Sequence, residues 1–162
     1  MNIWIMRHGE AGFFATSDSE RTLTKQGEEA AFKQGEWLAK RLLDQSVNLD
    51  KILVSPYVRA QQTFEQLTKG LQAGGSVQSF AKLSETWEGI VPSGNPENVI
   101  NYLRFLREEG AQNVLVISHL PLVFDLAQCL TNHQESVSFY PAVIAEIEWF
   151  AEKGRLVTVG NP

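Results

Sequence analysis

Cysteine is nearly absent from this sequence, and so are long hydrophobic runs. Cys129 is the only cysteine among 162 residues, which excludes an internal disulfide and any cysteine-rich zinc site. No apolar run approaches the roughly 18 residues that a membrane-spanning helix needs, and we therefore expect no association with a membrane. The apolar neighbours of Cys129, which are Leu126, Ala127 and Leu130, predict a buried thiol.

Positive charge is also scarce. The chain has 14 Lys and Arg against 19 Asp and Glu, a net charge of −5, which argues against general attraction to nucleic acid. Its length suits one domain over residues 1–162, and its 43% hydrophobic content is ordinary for a globular protein. The first apolar run is too short for a secretory leader, so we expect a cytoplasmic location.

Three short apolar segments are each followed directly by polar residues. They are Ile3–Met6 before Arg7 and His8, Ile52–Val54 before Ser55, and Asn113–Ile117 before Ser118 and His119. Short continuous apolar runs are typical of buried strands, and ligands bind just beyond the carboxyl ends of strands in an α/β sheet. The pattern predicts one site to which all three segments contribute.

The remaining segments predict helices around this sheet. Capping residues and helical spacing predict helices from Thr24 to about Leu43, from Ser55 and Pro56 through Leu71, from Pro96 to Gly110, and from Pro121 onward. We expect a short strand at Val77–Phe80 and a loop over the site mouth at Lys82–Asn95. A hairpin over Val143–Phe150 and Arg155–Val159 completes an α/β fold, a three-layer α/β/α sandwich with a mostly parallel central sheet and an antiparallel edge hairpin.

Two single residues stand out by position. Arg59 falls in the first turn of a predicted helix and off its apolar stripe, where the helix dipole and free backbone N–H groups favour an anion. A lone histidine is more often structural than catalytic, but His119 follows a buried strand and precedes a helix start, which favours a site. His133 has no such context and is predicted to lie on the surface.

Arg7-His8-Gly9-Glu10, Ser55–Thr63 and Val116–His119 together resemble the motifs of the histidine phosphatase superfamily, also called phosphoglycerate mutase-like. Within it the chain is most similar to the small bacterial phosphohistidine phosphatases of the SixA type. The resemblance covers Met1 to about Leu130 and implies a phosphatase that needs no cofactor. It implies that His8 is the nucleophile, that His119 is its partner, and that Arg7 and Arg59 bind phosphate.

The chemistry suits those residue types. A guanidinium is permanently charged and can bind phosphate through two parallel hydrogen bonds. We expect a hydrogen bond, for example to the Gly9 carbonyl, to orient the His8 ring. Arg21 is a further candidate for the phosphate or a brace for its loop. A metal is not expected, because the arginines would repel it.

In many family members an acidic residue protonates the leaving oxygen, and its counterpart in this sequence is less clear than the other site residues. Glu85 is the best positional match and Glu88 the second, while Glu10 has at most a supporting role. A leaving imidazole departs without strong acid help, so a weakly placed acid favours phosphohistidine as substrate.

The expected partner is a phosphohistidine-bearing protein such as a histidine phosphotransfer domain or a component of a nitrogen-related phosphotransferase system. Two alternatives stay open. One is a phosphatase or mutase for small phosphate esters, and the other is a non-catalytic module that only binds phosphohistidine.

Overall fold

One mixed sheet of six strands runs through the molecule. A computed structural model describes residues 1–162, and its strands are β1 (Asn2–Arg7), β2 (Lys51–Val54), β3 (Ser84–Thr86), β4 (Asn113–Ser118), β5 (Ile144–Phe150) and β6 (Lys153–Gly160). Their order across the sheet is β3-β2-β4-β1-β5-β6. The first four of these are parallel, whereas β5 and β6 pair antiparallel. The predicted mostly parallel sheet with an antiparallel edge hairpin is confirmed.

Helices cover both faces of the sheet. They are α1 (Lys25–Gln45), α2 (Val58–Ala73), α3 (Phe80–Leu83), α4 (Pro96–Glu108) and α5 (Leu122–Leu130). Successive residues of β1 point to opposite faces, so Ile3 and Ile5 pack towards α4 and α5, and Trp4 and Met6 pack towards α1 and α2. This gives the three α/β/α layers. No helix combines the length and the apolar character that crossing a bilayer requires.

Two helices begin as their capping residues predict. The Thr24 hydroxyl accepts a hydrogen bond from the Gly27 N–H at 3.0 Å, and the Asn95 side chain accepts one from the Glu97 N–H at 2.8 Å. Each bond satisfies a backbone donor that the first helical turn leaves unpaired. Thr24 also donates to the Glu10 carboxylate at 2.8 Å, which ties the start of α1 to the end of β1.

The predicted start of α2 is wrong. The helix begins at Val58, and Tyr57 precedes it in extended conformation without a side-chain cap. Ser55 accepts a hydrogen bond from the Tyr57 N–H at 3.2 Å within a turn, so its hydroxyl is not a helix cap. The turn leaves that hydroxyl free to face another segment.

The predicted strand at Val77–Phe80 is also wrong. Gln78 forms two side-chain hydrogen bonds with the backbone of Leu49, at 3.1 and 2.9 Å, and Phe80 starts α3. The edge position beside β2 is taken by Ser84–Thr86, within the stretch predicted as a loop. Cys129, predicted to be buried, is partly exposed.

Helices α1 and α2 cross at two glycines. A Cβ on Gly35 would lie 2.2 Å from the Leu67 carbonyl oxygen, and one on Gly70 would lie 2.0 Å from the Phe32 carbonyl oxygen. Real Cβ atoms do not come so close, so only glycine allows the two backbones to approach in this way. The crossing fixes the position of α2, whose first turn carries Arg59.

Replacing Gly35 by alanine should destabilise the fold. In an exposed helix interior the same substitution would stabilise the helix by about 1 kcal/mol. The added methyl group overlaps the backbone of α2, so we expect the free energy of unfolding in urea to fall by about 1 to 3 kcal/mol. Glu36→Ala on the exposed face is the control, with an expected change below about 0.5 kcal/mol. A more stable Gly35→Ala variant would contradict the close crossing.

Candidate active site

Residues from three strand ends meet at one edge of the sheet. β4 lies between β2 and β1, so Ser55 after β2, His8 after β1 and His119 after β4 come together. The imidazole rings of His8 and His119 lie 5.0 Å apart, measured between centroids. Arg7 and Arg59 join them, and we call these five residues the histidine cluster. All are buried except Arg7, which is half-buried.

Both ring nitrogens of His8 have a partner that fixes their protonation. Nδ1 lies 2.7 Å from the Gly9 carbonyl oxygen and must donate, because a carbonyl only accepts. Nε2 accepts from the Arg59 Nε–H at 3.3 Å. Burial lowers the pKa of His8 to about 4, an effect reinforced by the Arg59 and Arg7 charges and partly offset by the Gly9 hydrogen bond. The ring is therefore neutral at pH 7, with its lone pair on Nε2.

Ser55 sets the orientation of the second imidazole. Its Oγ accepts from the Tyr57 N–H at 3.2 Å and lies 2.7 Å from His119 Nε2, so its own proton is available to that nitrogen. This assignment places the His119 proton on Nδ1, which is buried without a hydrogen-bond partner. Burial lowers the pKa of His119 to about 3, with further contributions from His8 and Arg59. A buried N–H without an acceptor suits an oxygen of a bound anion.

Arg59 connects His8 to the loop after β1. Its Nη1 donates to the Asp18 carbonyl oxygen at 2.6 Å, and its Nη2 donates to the Asp18 carboxylate at 3.2 Å. Thr63 holds the same turn of α2, because its hydroxyl donates to the Arg59 carbonyl oxygen at 2.7 Å and accepts from the Gly9 N–H at 3.0 Å. The guanidinium and the His8 backbone are thus held to one another through Thr63.

Arg7 has no carboxylate partner. Its Nη1 donates to the Phe139 carbonyl oxygen at 2.9 Å, while its Nε is buried without a hydrogen bond. Burial and the charge of Arg59 lower the pKa of Arg7. The histidine cluster therefore holds two cations against one exposed carboxylate, that of Asp18, and this imbalance favours an anion such as phosphate.

Arg21 lies outside the histidine cluster and is connected to it through Asp18. It donates to the Gly12 carbonyl oxygen at 2.8 Å and to the Asp18 carboxylate at 3.1 Å, and its guanidinium stacks over the Phe13 ring at 4.3 Å. These contacts correspond to the loop-bracing role, and Asp18 links Arg21 to Arg59.

The candidate acids are not among the groups that contact the histidine cluster. Glu85 accepts from the Tyr102 hydroxyl at 2.5 Å and from Lys51 at 3.0 Å. Burial raises the pKa of Glu85, but these two hydrogen bonds and the Lys51 charge outweigh it and lower the pKa overall. Glu88 is exposed in the turn that follows β3, and Glu10 binds Thr24 at the start of α1. This geometry does not support Glu85 as a proton donor.

Sequence reasoning missed three residues that hold the site together. The sequence places Ser55 at a strand end that contributes to the site, but it predicts a helix-capping hydroxyl and not the contact with His119. Thr63 belongs to the Ser55–Thr63 motif and Asp18 has no local signal, but the roles of both depend on contacts with segments 54 and 41 residues away, which the sequence does not predict. His133 is exposed, as predicted.

Comparison with known proteins gives consistent matches. The family model for the histidine phosphatase superfamily (branch 1) matches residues 3–99. A Haemophilus influenzae protein named phosphohistidine phosphatase SixA homolog is 46% identical over 97% of this chain and 93% of its own. Escherichia coli phosphohistidine phosphatase SixA is 37% identical over 91% of this chain and 84% of its own.

The fold has a similar counterpart among solved structures. The protein histidine phosphatase SixA complexed with tungstate superimposes with a TM-score of 0.84 at 33% sequence identity, over 99% of this chain and 97% of that one.

The lowered histidine pKa values predict neutral rings over a wide pH range. The pKa of His8 is about 4 and that of His119 about 3. Both rings should therefore stay uncharged at pH values well below about 6.5, the ordinary pKa of a histidine side chain. We expect 15N NMR spectra to show both as neutral Nδ1–H tautomers from pH 8 to pH 5. A His133→Gln variant identifies the signals of the third histidine. Protonation of His8 or His119 near pH 6 would contradict their lowered pKa values.

Replacing Ser55 by alanine should remove the hydrogen bond that orients the His119 ring, while the imidazole itself stays in place. Losing one hydrogen bond to a buried group costs about 1.5 kcal/mol, so we expect roughly a tenfold loss of kcat/KM on a phosphorylated substrate. The His119 tautomer ratio in NMR should change in the same variant. Ser55→Thr keeps the hydroxyl and should recover most of both, and an unchanged tautomer ratio in Ser55→Ala would argue against the assignment.

Proposed function

Because the chain belongs to branch 1 of the histidine phosphatase superfamily, we propose that it removes the phosphoryl group from a phosphohistidine on another protein. The observation that carries this proposal is the neutral His8 ring, whose Nε2 lone pair faces Arg59 while its Nδ1 is bound to Gly9. A neutral imidazole beside fixed guanidinium groups is what an attack on phosphorus requires. The catalytic residues in this proposal are His8, His119, Arg7 and Arg59.

The first step transfers the phosphoryl group. The lone pair of His8 Nε2 gives up its hydrogen bond from Arg59 Nε–H and forms a bond to phosphorus. The phosphorus–nitrogen bond of the substrate breaks with its electron pair going to the substrate imidazole. Arg7, Arg59 and the His119 Nδ1–H bind the three phosphoryl oxygens, where the transition state spreads its charge. The Gly9 carbonyl stabilises the positive charge that develops on the His8 ring, since it accepts from Nδ1 at 2.7 Å.

The second step returns the enzyme to its starting state. Water attacks phosphorus, and the bond to His8 Nε2 breaks with its electron pair returning to that nitrogen. The two protons of the water leave with the product as dihydrogen phosphate, so His8 is again the neutral Nδ1–H tautomer. The same two arginines bind the phosphoryl oxygens in this step, so no cofactor or metal is needed.

The leaving group explains why no acid is required. A phosphohistidine ring that already carries a proton on its other nitrogen leaves as neutral imidazole, whereas the alkoxide from a phosphate ester must gain a proton as it departs. Glu85 is occupied by Tyr102 and Lys51, which favours the phosphorus–nitrogen bond over an ester. As the finer part of the proposal, we place the reaction in the cytoplasm and the substrate among histidine phosphotransfer domains or nitrogen-related phosphotransferase components.

Phosphate release from a phosphorylated histidine phosphotransfer domain tests the proposal. We expect His8→Ala to abolish release and the labelled phosphoenzyme. Arg59→Ala should lose on the order of a hundredfold or more, because it removes charge stabilisation in the transition state. Glu85→Gln serves as the matched carboxylate control and should keep most of the activity.

A panel of small phosphomonoesters decides between the alternatives. Faster turnover of the esters than of the phosphoprotein, with strong dependence on Glu85 or Glu88, would indicate a small-molecule phosphatase. Binding of the phosphoprotein without any release would indicate a non-catalytic module. Release that survives His8→Ala would remove His8 as nucleophile.

A further inference from the structure

Large hydrophobic side chains are exposed at two ends of the molecule. Nine are exposed in total, and four of them lie at the amino ends of the parallel strands, where α1 and α4 end and β5 finishes: Leu43, Val77, Phe105 and Phe150. The other five lie beyond the carboxyl ends of the strands, four of them in loops near the histidine cluster and Phe124 in the first turn of α5. We call these five the apolar rim: Phe13, Phe14, Leu120, Phe124 and Tyr140.

Two rim positions are tied to Arg59 and His119. The Phe13 ring lies 4.3 Å from the Arg21 guanidinium, and Arg21 binds Asp18, which binds Arg59. Phe13 and its neighbour Phe14 are nonetheless 82% and 103% exposed. Leu120 directly follows His119. This part of the rim is therefore connected to the groups that bind phosphate in the proposed reaction, through Arg21 and Asp18 on one side and through the chain at His119 on the other.

The other two rim residues lie on α5, which follows Leu120, and on the loop before β5. Phe124 follows Val123, whose N–H donates to the His119 carbonyl oxygen at 2.9 Å. Tyr140, 70% exposed, follows Phe139, whose carbonyl oxygen accepts from Arg7. The rim is thus built from three separate parts of the chain around one site.

Charge in the same loops does not favour small anions. Residues 10–24 contain three acidic side chains and one arginine, and residues 119–142 contain two acidic side chains with neither lysine nor arginine. The cations Arg7 and Arg59 lie inward, one half-buried and one buried. A free phosphate ester brings little besides its charge to this acidic approach, whereas a carrier protein also brings apolar surface that the rim can contact.

We propose that the apolar rim is the docking surface for a folded protein domain that displays phosphohistidine among exposed apolar side chains. This inference rests on the proposed function, because a phosphorus atom that reaches His8 Nε2 brings its carrier protein against the rim. Aromatic side chains that are exposed in the free protein and covered in a complex are the ones that contribute most to binding. The acidic loops favour a partner without strong negative charge around its phosphohistidine.

Two substrates of different size separate docking from chemistry. We would measure KM and kcat for Phe14→Ser and Tyr140→Ser on a histidine phosphotransfer domain phosphorylated chemically, and on free phosphohistidine. We expect KM for the phosphoprotein to rise on the order of tenfold in each variant, with kcat/KM for free phosphohistidine unchanged. Phe150→Ser, at the opposite end of the sheet, is the matched control and should change neither.

Each other outcome has its own meaning. Equal losses on both substrates would show that the substitutions disturb the site, and unchanged KM on the phosphoprotein would show that the rim does not dock it; either result overturns the inference while leaving the function intact. If the unaltered protein releases phosphate from neither substrate, the proposed function fails and the docking proposal fails with it.

Discussion

The burial of two guanidinium groups beside a neutral imidazole is the constraint on which this site depends. Arg59 donates to His8 Nε2, and Arg7 lies half-buried without an ion pair. Low polarity and positive charge both disfavour protonation of His8, so the ring keeps its lone pair. The same charges attract a phosphoryl group. In the proposed reaction, one arrangement therefore keeps the nucleophile reactive and creates the binding site for its target.

The fold supplies the rigidity that this arrangement needs. Parallel strands place Arg7, His8 and His119 at one edge, because the carboxyl ends of such strands coincide. Arg59 instead comes from a helix, and its position depends on the close crossing of α1 and α2 at Gly35 and Gly70. Packing far from the histidines thus determines whether the guanidinium reaches His8.

The sequence predicted the parts of the site that have local signals. Apolar runs followed by polar residues predicted that His8 and His119 meet at one edge of the sheet, as they do, since burial of a strand and the turn after it leave a pattern within a few residues. The start of α2 was mispredicted because Ser55 serves a contact with His119, 64 residues away. Glu85 was favoured as an acid by position alone, and its partner Tyr102 comes from another layer of the fold. Such pairings arise only when the chain has folded.

The carboxyl groups around the histidine cluster limit the reaction that it can perform. Asp18 is the carboxylate that contacts Arg59, and hydrogen bonds from Arg21 and Arg59 lower its pKa, so it holds no proton at neutral pH. A phosphoryl group that takes both terminal nitrogens of Arg59 must also displace Asp18 from them. Glu85 has a lowered pKa as well and is bound elsewhere. A leaving group that needs no proton from the enzyme, such as the imidazole of phosphohistidine, is therefore the one that this chemistry favours.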